Sequence, residues 1–301
     1  MNQDFDTFLI GLYLIVSDWL QTHGQPYLRP QGGAPPRCTD AELLTLILAH
    51  QLGQATWHER RWLRWLEHNG YRAWFPHLPS QSAYNRRVRN LGGVLRAFRI
   101  YLAQEVLEDL PPDAVVDGTP IHLRHWRRHG PHHLALPDAA LGYCAAKREY
   151  FYGYRLVALV TRRGIIIDWV LLPANGDERD GLDALVADEE QWRVWGDKGF
   201  LDAARQAQWA TEQQIEVITP QRRNQAVQLS RAAAQELGAV RPIVETAFAQ
   251  AKEYVDLERL RVQTFSGVWG RLNAKLTALM VLAWANIQRG IAPLSYVNFA
   301  W

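Results

Sequence analysis

A chain of 301 residues that is 48% hydrophobic and 21% charged, with 21 glycines and 15 prolines spread along its length, can bury a sizeable core, which excludes disorder as a description of the whole. The longest apolar stretches, Phe8 to Val16 and Leu276 to Ala285, are shorter than the ~20 residues that cross a bilayer, so no membrane span is expected. A net charge of +2, an acidic start (MNQDFDTF) and only two cysteines, Cys38 and Cys144, fit a reducing cytoplasm.

The first predicted elements are helical. Phe8, Leu12 and Ile15 recur at helical spacing, and Leu43, Leu44 and Leu48 follow a Thr39 whose Glu42 stands three residues on, a capping box. A Pro/Gly-rich loop around Gly33 separates the two segments. Trp57, Trp62 and Trp65 have the mixed helical spacing of a helical core or a protein interface. LPSQSAYNRRVRN reads as a turn followed by a Ser-capped helix. Between Gln54 and Gln104 nine arginines face two acids, Glu59 and Glu67, a local charge of +7. Only four of the 33 basic residues are lysines. Arginine suits bidentate phosphate contacts, although the coding bias of a G+C-rich genome produces the same usage. Arg86, Arg87 and Arg89 begin the Ser-capped helix and can enter a nucleic-acid groove or clamp phosphates; a solvated helix face is the alternative.

Near Pro111 the pattern changes to short β-rich runs. Strands are expected at Ala114 to Asp117, Tyr150 to Thr161 and Gly164 to Leu172, the last two joined as a hairpin through Arg162-Arg163-Gly164. A helix over Glu178 to Gln191, a strand over Trp192 to Gly196, a helix over Leu201 to Gln213 and a strand over Ile215 to Thr219 follow. A long helix then starts near Leu237 or Pro242 and passes Tyr254. This order implies a mixed sheet covered by helices. The acidic run from Asp177 to Glu190, seven acids with one arginine, reads as a solvated helix face without function.

Three acids stand where chemistry can use them: Asp117 in VVDGTP, Asp197 in VWGDKGF and Glu245 in RPIVETAFAQAK. Singly, each has a plain explanation as a turn or surface residue. Together, two strand-end acids and one helical acid can converge, and carboxylates that meet in a cleft repel unless cations separate them; hard oxygen donors suit Mg²⁺. On the long helix, Arg241, Glu245 and Lys252 fall within about 40° of arc, roughly 70° from an apolar stripe of Val244, Phe248, Ala251 and Val255. Surface ion pairs at helical spacing are the alternative reading of that edge. Lys198, beside Asp197, can donate to a phosphate or be a solvated turn lysine. Lys147 and Arg148 can grip a nucleic-acid backbone, while Tyr143, Tyr150, Phe151, Tyr152 and Tyr154 read as core or strand-surface aromatics. Five histidines lie between His122 and His133 (His122, His125, His129, His132, His133). With Cys144 the only cysteine nearby, a structural zinc site is not expected. His122 and His125 follow Asp117 closely enough to line the same cleft.

The combination of VVDGTPI, GYCAAKREYFYGYRL, GDKGF and R-x3-E-x6-K, over roughly Leu110 to Arg289, resembles the DDE transposases of bacterial insertion sequences; TDAELLTLIL and LPSQSAYNRR match more weakly. The resemblance implies an α+β or α/β fold, a ribonuclease-H-like mixed sheet flanked by helices and preceded by an all-helical DNA-binding domain. The expected division is residues 1–110 and 111–301. It implies that Asp117, Asp197 and Glu245 are a catalytic, metal-binding triad served by two Mg²⁺ or Mn²⁺ ions, with Arg241 and Lys252 on DNA phosphates. The implied reaction cleaves phosphodiester bonds at element ends and joins the freed 3′-hydroxyl to target DNA. The implied partners are double-stranded DNA and a second copy of the chain, as a homodimer in the DNA complex. One departure is visible: the related signature often has Tyr three residues before the Arg, where this chain has Gly238. A nuclease that cleaves without joining, and a transposase-derived DNA-binding protein without catalysis, are the rival readings.

Overall fold

The computed structural model describes residues 5–28, 35–52, 58–108, 110–125, 136–144, 148–221, 228–258, 260 and 262–296. In chain order the elements are α1 (Phe5–Trp19), α2 (Asp40–Leu52), α3 (Glu59–His68), α4 (Gln81–Asn90), α5 (Gly92–Leu107), β1 (Asp113–His125), β2 (Ala140–Cys144), β3 (Glu149–Thr161), β4 (Ile166–Pro173), α6 (Glu178–Val186), β5 (Arg193–Trp195), α7 (Ala203–Glu212), β6 (Glu216–Ile218), α8 (Arg231–Val255) and α9 (Phe265–Gln288).

Two compact units divide the chain, one combining residues 1–102 with 262–301 and the other spanning Ala103–Arg261. The boundary expected near Pro111 lies close to the observed one. The expectation that residues after 111 form a single domain to the C-terminus is corrected, because α9 packs with α2 and α4. Its apolar run, Leu276 to Ala283, is buried, and Thr277 donates to the Leu95 carbonyl at 3.0 Å. The helix is an internal strut of the helical unit, and among the described residues no helix is long and apolar enough to cross a membrane.

Local chemistry sets the helix starts. Glu42 accepts from the Thr39 N–H at 2.6 Å while Thr39 Oγ1 accepts from the Glu42 N–H at 3.1 Å, a reciprocal cap. Ser80 caps α4 through the Ala83 N–H. Trp62 and Trp65 stack 5.5 Å apart, with Phe5 edge-on to both, so these tryptophans serve the helical core; Trp57 lies outside the described residues. Buried Glu59 is satisfied by Asn85 and by Arg271 at 2.8 Å.

In the second unit, β1 is flanked by antiparallel β3 and parallel β5. β6 continues parallel from β5, and β2 and β4 pair with successive halves of β3. α6 packs on β3 and β4, α7 on β6 and α8 on β1. The sheet is mixed and flanked by helices, as expected. Three details differ from expectation. β1 runs on through Gly118 and Pro120 rather than stopping at Asp117, because β5 pairs only with Asp113 to Val115 and leaves one side of β1 open, where a proline is tolerated. β2, five residues with a central glycine, has no counterpart among the expected strands. α8 begins at Arg231, where Ser230 accepts from the Ala233 N–H; buried Leu237 and Val240 extend the apolar stripe backwards and hold the helix through Pro242.

The register of β1 against β3 shifts between His122 and Arg124, and there a Cβ on Gly153 would run into the Ile121 carbonyl. Gly153→Ala is expected to destabilise the protein by about 1–3 kcal/mol, read as a lower urea midpoint at unchanged slope.

Candidate active site

The parallel register of β1 and β5 pairs Val115 with Trp195. Asp117 and Asp197 each lie two residues beyond that pair, Asp117 within β1 and Asp197 just past the end of β5, so that neighbouring strands about 4.8 Å apart lead to both. Asp117 Oδ1 accepts from the Gly118 N–H at 2.7 Å. Asp197 leaves the strand and caps the turn Lys198–Phe200, its Oδ1 accepting from the Gly199 N–H at 2.6 Å. Each aspartate is half-buried, so neither can rotate freely into solvent.

A carboxylate beyond the three expected acids joins the electrostatics of Asp117 and Asp197. Glu178, the first residue of α6, accepts from Arg155 of β3 at 2.8 Å, and both side chains are largely buried. Burial raises the Asp117 carboxyl to about 6; the Gly118 hydrogen bond opposes this, the charges of Glu178 and Asp197 add to it, and Arg241 of α8 lowers it. Glu178 is also raised, first by burial, against the pull of Arg155 and with a push from Asp197. The three carboxylates therefore share one electrostatic environment, and Arg241 brings the polar edge of α8 into it.

The remainder of the acidic run behaves as a paired surface. Asp177 caps α6 and bonds Arg179, which holds its carboxyl down at about 2. Asp180 and Asp183 bind Arg205 of α7 at 2.7 and 2.6 Å. Glu178 turns inward instead, which corrects the reading of the whole run as a solvated face. Sequence reasoning missed it because a glutamate opening a helix is the commonest of dipole-favoured residues; the glycines that follow each aspartate, Gly118 and Gly199, were the available signal.

Along α8, Val244, Phe248, Ala251 and Val255 are buried, as the spacing required, while Arg241 and Glu245 are exposed on the other edge. Lys252 pairs with Glu258 at 3.0 Å. Lys198 is exposed beside Asp197. Arg148 is an exposed turn residue before β3, ten residues from the Ala158 that faces Asp117, or about 33 Å along the strand; Lys147 lies outside the described residues. His122 and His125 continue β1, about 16 and 26 Å along the strand from Asp117, and so do not line its cleft. The His122 ring stacks on Phe151 instead, and the other three histidines of that cluster lie outside the described residues. Phe151 and Tyr154 are core residues, and Tyr143 and Tyr150 pair on the strand surface. In the helical unit Arg86 is exposed and Arg89 half-exposed. Arg87 is engaged with Asp40 and the Cys38 carbonyl, both at 2.6 Å, and Arg99 is buried.

Among the described residues no three His, Cys, Asp or Glu side chains are gathered tightly enough to hold a metal ion by themselves. The donor chemistry nonetheless suits a hard cation. Asp117 and Asp197 are oxygen donors on rigid backbone, and the upward pressure on the Asp117 carboxyl is partly the unrelieved charge of its neighbours.

Residues 109–265, a little over half of the chain and nearly coincident with the second compact unit, match the family described as "Transposase DDE domain". No curated protein matches. Among solved structures, the Mos1 transposase in a paired-end complex with left transposon end is similar at 13% identity over 90% of this chain and 86% of that one, with a TM-score of 0.24, a likeness too slight to carry weight.

A carboxyl raised in the folded state favours folding when protonated: that stability is complete below the unfolded value of 3.8 and is lost as pH rises through about 6. In chelator-containing buffer at pH 7.5, Asp117→Asn is therefore expected to stabilise the protein by on the order of 1–3 kcal/mol. The gain should shrink as the pH falls towards 4, read from thermal melts across pH.

Proposed function

This chain belongs to the transposase DDE domain family, and on that premise we propose that it cleaves phosphodiester bonds at the ends of a DNA element and joins the freed 3′-hydroxyl to target DNA. The observation that carries this reading is the placement of Asp117 on β1 and of Asp197 just past the end of its parallel neighbour β5, within the segment that matches the family. Two Mg²⁺ or Mn²⁺ ions, when bound, supply activation of the attacking oxygen and stabilisation of the leaving one.

Asp117 and Asp197 hold that charge at fixed backbone positions, the former on a strand and the latter at a capped turn. Glu245, one helical turn after Arg241, is the third member, presented from the exposed edge of α8. Arg241 neutralises part of the carboxylate charge and, with Lys198 and Lys252, meets the phosphate negative charge next to the bond that breaks. In the first step water displaces the 3′ oxygen, which leaves with a proton as a hydroxyl; in the second that hydroxyl displaces an oxygen of the target strand. The protein contributes position and electrostatics rather than a covalent group. Lys147 and Arg148 contact DNA backbone, Arg148 at a distance from the reacting phosphate. Arg86 and Arg89 read or clamp the element ends, while Arg87 supports α4 by holding Asp40. Two ends require two active sites, hence a homodimer on DNA.

The deciding experiment supplies Mg²⁺ and the gene's own flanking DNA. Wild-type protein is expected to cleave and join, and Asp117→Ala, Asp197→Ala and Glu245→Ala are each expected to lose at least about 10³-fold in rate while retaining end binding. Full activity in a variant removes that residue from the triad; wild-type cleavage without joining identifies a nuclease, and binding alone a non-catalytic relative. Replacing Arg86 and Arg89 together is expected to lower the salt dependence of end binding by about one slope unit for each phosphate no longer neutralised, measured by gel-shift titration at several salt concentrations.

A further inference from the structure

Glu178 sits where two glycines make room for it. Gly118 follows Asp117, and a Cβ there would collide with Glu178 Oε1. Gly199 follows Asp197 by two residues, and a Cβ there would stand 3.2 Å from Glu178 Oε2 and 2.9 Å from Asp197 Oδ1. Neither glycine has a positive φ, so space rather than backbone conformation accounts for both. One carboxylate thus reaches with one oxygen to the strand of Asp117 and with the other to the turn of Asp197. Arg155 binds the first oxygen at 2.8 Å. The second and Asp197 Oδ1 both lie within 3.2 Å of the point a Gly199 Cβ would occupy, a nearness of like charges that a cation would relieve.

We propose that Glu178 is a further carboxylate of the cation site, a positioning residue whose charge is divided between Arg155 on one oxygen and a divalent cation, shared with Asp197, on the other. This rests on the reading of Asp117 and Asp197 as the cation-binding acids. Arg155 then competes with the cation for Glu178, so removing the glutamate and removing the arginine act in opposite directions. A clamp that merely joins α6 to β3 would respond to both losses in the same direction.

The test is Mn²⁺ binding to the full chain without DNA, followed by the electron paramagnetic resonance signal of free Mn²⁺, with circular dichroism as the check of folding. Glu178→Gln is expected to weaken binding about tenfold, Arg155→Gln to tighten it severalfold, and Asp197→Ala to abolish it. If Asp197→Ala abolishes binding while Glu178→Gln leaves it at the wild-type value, the role of Glu178 is overturned and the reading of the aspartates survives. Binding unchanged in Asp197→Ala overturns that reading and this inference with it. If Glu178→Gln does not fold, Arg155→Gln decides: tightening supports the role, and weaker or unchanged binding overturns it.

Discussion

Parallel pairing of β1 with β5 brings two negative charges together, and much of the second unit can be understood as accommodation of that repulsion. Asp113 to Val115 align with Arg193 to Trp195, and two residues further on stand Asp117, within β1, and Asp197, in the turn that follows β5. Neither can retreat. Asp117 lies within a thirteen-residue strand held along its length by β3, and Asp197 is tied to the Gly199 amide of its own turn. Burial is the chief reason the Asp117 carboxyl is displaced upward to about 6; the Gly118 amide opposes it, and Arg241 of α8 opposes it to a lesser degree.

The same frame explains why one acid of the Asp177 to Glu190 run differs from its neighbours. Asp180 and Asp183 meet Arg205 and stabilise the contact of α6 with α7 at modest, partly screened strength. Glu178 starts the helix, and the strand beneath it offers a glycine instead of a side chain. Its carboxylate therefore enters a largely buried space in which Arg155 is the bonded countercharge. Burial of an acid with one arginine on one oxygen leaves the second oxygen near Asp197, and the electrostatics of the cluster involve four groups rather than three.

In the helical unit, basic composition overstated what is available to a partner. Arg87 and Arg99 are committed to the protein itself, one to Asp40 and a carbonyl and the other to the interior, while Arg271 satisfies buried Glu59. The exposed remainder of the Gln54 to Gln104 stretch, Arg60, Arg61 and Arg64 on α3, Arg72 paired with Glu67, Arg86 on α4 and Arg96 on α5, is a smaller basic surface than a count along the chain implies. Arginine serves both purposes because its planar fork satisfies carboxylates and carbonyls inside a protein as readily as phosphates outside it.

Periodicity and capping chemistry made most elements legible in the chain, since these are set by neighbours three or four residues apart: the Thr39 and Ser80 caps, the apolar stripe of α8 and the hairpin of β3 and β4 all stand as expected. Asp117 and Asp197 were also legible, because each follows an apolar run that could only be a buried strand. Partners distant in sequence were not. That β1 continues past Pro120 depends on where β5 stops pairing, and the burial of α9 in the helical unit depends on surfaces more than 150 residues away. The orientation of Glu178 depends on glycines 60 residues before it and 21 after. A local pattern records which face of an element is apolar, whereas the partner of that face, and the charge brought opposite a given carboxylate, are properties of the packed chain.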